Sequence, residues 1–371
     1  MPVRYRRSPF LVGYWKDARL VVHNYASGRA VELASDLWPT LHACTAWRSV
    51  DQLSAALQIP LARTRVFVRV LTEHALLQRS DAPRDPRDVA MGALAPWNPA
   101  AGFFHTATKR VRFLPPARAA ALEKQRAREW PMPRPTKSIR GAATVTLPQP
   151  QYAGEFPETL LARRTWRRFG SAPVTREDLA TTLALAVGVQ QWVPTQFGRL
   201  PLKTSPSGGA RHPIEAYVCA RTVSGLAAGL YHYDSARHRL ERIRRGDMTA
   251  RLREWMPHSG YFARAAFVVV LTAVLERQVW RYPYARAYRA ALAEAGHVCQ
   301  TFCLSATWRG LAPFCLMGLA DSLIERDLGI DGVRETVLYV AGAGARPKGT
   351  AWAPRARGTL RARRNPVFDL P

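Results

Sequence analysis

Lys203-Thr-Ser-Pro-Ser-Gly-Gly-Ala-Arg-His-Pro-Ile-Glu-Ala-Tyr-Val218 reads as a tight bend feeding a strand. The segment Ile214–Ala220 alternates as a strand and reads as a buried one. Gly208 and Gly209 carry no side chain, so backbone N–H groups at the bend can approach a flat ligand closely. An ordinary tight turn fits the same residues equally well. Downstream, Gly229-Leu-Tyr-His-Tyr-Asp and Leu240-Glu-Arg-Ile predict a hairpin around Ser235–Arg239. Ala265–Leu275, β-branched in its middle, predicts a buried central strand. Glu335–Gly344 closes the sheet. Helices are expected over Phe156–Arg164, over Leu179–Gln190 behind Thr175, Glu177 and Asp178, and within Tyr284–Gly310. Strands and helices in this order give an α+β class.

Residues 10–80 have a different character. Two strand-like pieces, Leu20–Tyr25 and Ala30–Leu33, flank the turn Ala26-Ser-Gly28. Helices follow after Asp36 as an N-cap, from Ser49, and over Thr64–Glu73, and Ala75–Arg79 closes as a strand. Short helices with a small β-ribbon resemble a winged helix. From 81 to 150 prolines recur at eleven positions, which predicts a surface linker with one basic helix near Ala117–Glu129. Within it Trp97–Lys109 is aromatic enough to dock on a neighbouring domain. The chain therefore divides into a winged-helix-like domain at 1–85, a proline-rich linker at 86–150, a main domain at 151–350 and a basic tail at 351–371.

Composition bounds the function. With 371 residues, 47% hydrophobic and 22% charged, the chain is an ordinary globular one. Its longest nearly apolar run, Ala265–Leu275, is too short to span a bilayer. The N-terminus has positive charge without an apolar segment behind it, so no secretory signal is expected. Cys44, Cys219, Cys299, Cys303 and Cys315 contain no CxxC. They read as reduced thiols of a cytoplasmic protein, without a zinc site or disulfide frame. A net charge of +27 implies attraction toward anions, whether phosphates, acidic peptides or nucleic acid.

Motifs decide among these. GxSxG, HExxH, GxxxxGK[ST] and GxGxxG are all absent, leaving hydrolase, metalloprotease, kinase and Rossmann readings unsupported. Arg163-Arg-Thr-Trp-Arg-Arg-Phe169 places guanidinium groups beside a hydroxyl, a credible phosphate grip or else a solvated basic face. Glu294, His297 and Gln300 recur at spacing three on an otherwise apolar helix and must find polar partners. The row Trp280-Arg-Tyr-Pro-Tyr precedes that helix, and Arg309-Gly-Leu-Ala-Pro follows it.

Taken in order, these segments resemble the SagB-type dehydrogenases, a branch of the nitroreductase-like FMN flavoproteins. The resemblance covers about 155–347. It implies a nitroreductase-like mixed sheet flanked by helices, in a homodimer that holds FMN at the subunit interface. Arg163, Arg164, Thr165 and Arg167 would contact the FMN phosphate or ribityl chain. Pro206, Ser207, Gly208 and Gly209 would lie along the isoalloxazine, with Gln300, Gly310 and Leu311 lining the remainder and Arg346 as a second phosphate-side cation. Members oxidise peptide thiazolines or oxazolines to azoles, alongside cyclodehydratase partners, and a leader peptide would engage the N-terminal module. Where azoline-oxidising members carry a Lys-Tyr pair, this chain has Arg281-Tyr282. Arginine stays protonated at physiological pH, so Tyr282 with Arg281 beside it is the catalytic candidate. Gln300-Thr301 replaces the more usual Gln-Asn. The alternatives are an NAD(P)H-dependent nitroreductase or flavin reductase, and a non-catalytic peptide- or DNA-binding protein. Nucleic acid is disfavoured because no set of base-reading side chains stands out.

Overall fold

The computed structural model describes residues 2–109, 114–129, 154–195 and 198–349. Met1, residues 110–113, 130–153 and 196–197, and residues 350–371 with the basic tail lie outside the described residues. The N-terminal part opens with β1 (Arg4–Arg7), β2 (Leu11–Lys16), β3 (Arg19–Asn24) and β4 (Arg29–Glu32). There follow α1 (Trp38–Ala43), β5 (Arg48–Ser49), α2 (Val50–Leu57), α3 (Leu61–Glu73) and β6 (Leu77–Arg79). Strands β5-β1-β6 form one antiparallel sheet and β2-β3-β4 a second. Three helices against a small sheet match the winged-helix-like expectation, with the β2-β3-β4 meander added. Ser49 caps α2 through a capping box with Gln52, satisfying donors that a helix start otherwise leaves open. Asp36 does not cap α1: it sits in the turn Ser35–Leu37 and pairs with Arg63 at 3.3 Å. Pro39 presets the first turn of α1 instead.

The proline-rich stretch is more ordered at its start than a surface linker. It forms α4 (Pro86–Met91), α5 (Pro99–Lys109) and α6 (Pro116–Glu129). Asp85 caps α4, and Pro86 sits in that helix's first turn. Met91, Leu94, Trp97 and Ala101 are buried in the main core. Trp97 docks as its aromatic character implies, its Nε1–H donating to the Tyr282 carbonyl at 3.2 Å. His105 of α5 is buried between the Tyr288 hydroxyl and the Gly332 carbonyl, each at 2.8 Å. Phe103 of α5 meets His23 of β3 edge-on at 5.2 Å, so α5 joins the N-terminal part to the main one.

The main part continues with α7 (Glu155–Ala162), α8 (Arg176–Val187), β7 (Gln191–Thr195), β8 (Gly198–Leu202), β9 (Ile214–Ala220), β10 (Gly229–Asp234) and β11 (Arg239–Arg245). Then come α9 (Thr249–Trp255), β12 (Phe267–Val274), α10 (Leu275–Arg281), α11 (Ala287–Trp308), β13 (Ala312–Leu316), α12 (Asp321–Leu328) and β14 (Glu335–Gly344). Six strands lie in the order β11-β10-β9-β12-β14-β13, and their five adjacent pairs are all antiparallel. The one parallel contact among the described residues is the bridge Val174 to Val223. β12 is central, as its composition predicts. Phe267, Val269 and Leu271 face the core beneath α11 and α8, while Val268 and Val270 face the core beside α9 and α12, the period of two that a strand imposes.

Candidate functional site

The bend and the catalytic candidates meet. Gly209 is left-handed, φ +60°, and a Cβ placed there would lie 3.1 Å from the Tyr282 hydroxyl and 3.3 Å from Arg281 Cγ. A Cβ on Gly208 would lie 3.3 Å from Tyr282 Cε2. Glycine at both positions is what lets the phenol rest on the bend. The Arg281 guanidinium carbon stands 5.7 Å from the Tyr282 ring centre. Beneath the bend, buried Glu294 of α11 accepts from Gly208 N–H at 3.0 Å and from Gln278 Nε2 at 2.8 Å on the same oxygen, Oε1. Burial pushes the Glu294 carboxyl up, against hydrogen bonds from Ser207, Gly208 and Gln278. Ser207 Oγ accepts from His212 N–H at 2.8 Å, closing the loop.

A charged network backs this turn. Arg277 donates to the His212 carbonyl at 2.8 Å and pairs with Glu215 at 2.6 Å, and Glu215 also meets His232 Nε2 at 3.3 Å. Burial works upward on Glu215, but the His232 hydrogen bond and the Arg277 charge outweigh it and hold the carboxyl below its usual range. Burial drives the Lys203 ammonium down to about 8, with Glu215 pulling the other way. Burial and the Lys203 charge together take His212 to about 4.

The second predicted cluster assembles at the far end of α11. Segment 163–170 is tied to β13 and to the residue after β14 by Trp166 N–H to the Pro313 carbonyl at 2.9 Å and Gly170 N–H to the Ala345 carbonyl at 2.8 Å. Arg346 donates from Nε to the Leu311 carbonyl and from Nη2 to the Thr307 carbonyl, both at 3.1 Å, and its guanidinium lies 5.8 Å from the Trp166 ring centre. Arg164 donates to the carbonyls of Leu161 and Arg163 at 2.9 and 2.7 Å. Burial lowers the pKa of both guanidinium groups. Arg346 makes no ion pair among the described residues. A half-buried cation whose partners are carbonyl dipoles and an aromatic face favours an anion, and this donor set suits a phosphate group. Glu294 and Thr307 are thirteen positions apart on α11, so the two ends stand about 20 Å apart along its axis.

Not every expected residue joins these ends. Gln300 lies on an exposed face of α11. At roughly 100° per residue, six positions carry it about 120° around the helix from Glu294. Arg167 lines a cleft of about 430 Å³ together with Arg168, Arg253, Tyr261 and Arg264. Thr301, in place of asparagine, ties α11 to the bend segment: its hydroxyl lies 3.1 Å from Ser205 Oγ. Glu294 is the member of the polar row that reaches the bend. Its partner Gln278 gave no sequence signal, because its role depends on how α10 packs against α11. A groove of about 530 Å³ runs beside these elements, lined by Phe156, Thr159, Leu185, Leu304 and Trp308, with Phe156 68% exposed and Trp308 46% exposed.

Together these give an antiparallel sheet packed by helices, with a glycine bend and a guanidinium cluster at opposite ends of one long helix. The nitroreductase family model matches residues 160–345, and the chain belongs to the nitroreductase family, whose members usually bind flavin. It is 32% identical over 176 residues to a nitroreductase-named protein of Methanocaldococcus jannaschii, covering 47% of this chain and 85% of that protein. It is 32% identical to the trifolitoxin-processing protein TfxB of Rhizobium leguminosarum bv. trifolii, over 37% of this chain and 38% of that one. It is 30% identical to the microcin B17-processing protein McbC of Escherichia coli, over 34% of this chain and 48% of that one. The matched region thus spans less than half of either processing protein. These two relatives bear out the SagB-type resemblance. No helix among the described residues is long and apolar enough to cross a membrane.

Proposed function

We propose that the protein is an FMN-dependent dehydrogenase that oxidises a peptide azoline, thiazoline or oxazoline, to the azole in the cytoplasm. The observation that carries this reading is the seating of the Tyr282 hydroxyl on the Gly208–Gly209 bend, with buried Glu294 fixing the bend from below. Azoline-to-azole conversion removes a proton and a hydride from the ring, and bound FMN supplies the hydride acceptor. The chain's own task is the proton. As the phenolate, Tyr282 takes the proton from the ring Cα and becomes the phenol, and Arg281, a permanent cation, stands beside its ring. Gln278 and Glu294 hold the bend in register with Tyr282. Arg163, Arg164, Thr165 and Arg346 would hold the phosphate and ribityl arm, Pro206–Gly209 would lie along the ring system, and Gln300, Gly310 and Leu311 would line the remainder, while Arg167 stands apart in its own cleft.

The separation of the two ends along α11 suits a site completed across two copies of the chain, with the apolar Phe156–Trp308 groove inside the homodimer contact. Outward-facing Gln300 then serves the partner's site. The winged-helix-like domain, residues 1–85, receives the leader of the peptide substrate, delivered by a cyclodehydratase partner, and its basic character suits an acidic leader. The relatives that process trifolitoxin and microcin B17 support a peptide substrate. The test is incubation of FMN-loaded protein with thiazoline- and oxazoline-bearing peptides, followed by mass spectrometry. Loss of two hydrogens per ring is expected. Unchanged peptide together with rapid NAD(P)H bleaching of the flavin and reduction of a nitroaromatic would replace this reading with a small-molecule nitroreductase.

A further inference from the structure

We propose that Cys299, Cys303 and Cys315 form a three-sulfur site for a soft, low-coordinate metal ion, monovalent copper. Their Sγ atoms all lie within 4.8 Å of one another. Cys299 and Cys303 are one helical turn apart on the buried face of α11, and Cys315 comes from β13, so the cluster exists only once helix and strand are packed. All three are free thiols.

A buried cysteine is ordinarily a small hydrophobe, and Cys44 and Cys219 behave so, each packed among aliphatic and aromatic neighbours in a separate core. Three thiols pointing at one another are different, because each forgoes an apolar neighbour on its sulfur side. Sulfur atoms about 2.3 Å from a central ion stand about 4 Å apart in a trigonal plane, so closure requires each pair to approach by less than about 1 Å. No fourth His, Cys, Asp or Glu joins the group among the described residues. Zinc would have to complete its tetrahedron with water at a site whose two α11 cysteines are buried, whereas three soft thiolates alone suit low-coordinate monovalent copper. The Tyr339 hydroxyl lies 3.9 Å from Cys315 Sγ, the kind of outer partner that orients a ligand. Cys315 is half-buried while the other two are buried, which leaves one side for entry. Binding is a plain exchange: three S–H protons go to solvent, three sulfur–copper bonds form, and no electron moves.

The experiment titrates the reduced, FMN-containing protein anaerobically with monovalent copper held by a chromogenic chelator. One equivalent per chain is expected to be withheld from the chelator, with a thiolate-to-copper ultraviolet band and a raised Tm. Loss of an outer partner costs a metal site 10–100-fold, so Tyr339→Phe should weaken retention about 10-fold and Cys315→Ser by more than about 100-fold. Cys44→Ser should retain copper as the wild type does. If Cys315→Ser fails to fold, the ultraviolet band and stoichiometry of the wild type and of Tyr339→Phe decide. The proposal is overturned if the wild type withholds no copper, if Cys315→Ser withholds as much as the wild type, or if divalent zinc is held as tightly as copper.

Discussion

The two ends of α11 are built on opposite plans. At the bend, the polar groups close on one another: Gly208 N–H and the Gln278 amide on Glu294, and His212 N–H on Ser207. At the arginine end, Arg346 is met by the carbonyls of Leu311 and Thr307 and by the Trp166 ring, with no carboxylate partner among the described residues. The first end is a finished scaffold that seats the Tyr282 hydroxyl. The second is a charged socket that suits an anion. Under the proposed function the first end carries the chemistry and the second the anchoring, and the two are separable by mutation.

The sharpest cut is Tyr282→Phe, which should lower turnover by at least about 100-fold while the protein still purifies with its flavin. Comparing absorbance at constant protein with the single-turnover rate checks this. Next is Arg346→Ala, which removes a charge-assisted contact worth about 1.5–3 kcal/mol. FMN affinity should fall about 10- to 100-fold by fluorescence titration, with the turnover of the saturated enzyme largely kept. If both variants moved the same parameter, the division between the ends would collapse. Gly209→Ala puts a side chain in the left-handed region against Tyr282, at a cost of about 1–2 kcal/mol. A lowered Tm and a further loss of turnover are expected, without loss of flavin.

The smallest effect is electrostatic. Because burial raises the Glu294 carboxyl above its ordinary value of 4.5, the folded state holds that proton more tightly than the unfolded one. Its contribution is therefore present at low pH and is lost as pH rises from about 4.5 through the folded value. Glu294→Gln should flatten that limb of the Tm–pH curve. An unchanged pH slope would show that Glu294 is not buried beneath the bend as described.

How much of this was legible beforehand follows from the range of each signal. β9 and β14 match their expected spans, Ile214–Ala220 and Glu335–Gly344, because two-residue alternation is local. Helix α8 begins at Arg176 and ends at Val187 rather than running from Leu179 to Gln190. Thr175 supplies the cap, and Gly188 leaves the helix in extended backbone. The β7-β8 hairpin was invisible, since Pro194 and Pro201 lie inside its strands and proline argues against a strand. Of the site, the bend, the Arg281-Tyr282 pair and the arginine segment were readable as residue types in order. That Glu294 serves the bend while Gln300 turns outward depends on the rotation of α11 against β9 and α10, which no short window of sequence carries.

Trp97 has the last consequence. Its indole holds the carbonyl of Tyr282 from a helix-rich stretch that also carries the N-terminal part through Phe103 and His23. A trimmed protein beginning near residue 155 would keep every atom of the family domain and still leave Tyr282 without its brace. Boundaries drawn for a minimal catalytic fragment belong upstream of Pro86, not at the edge of the recognisable domain.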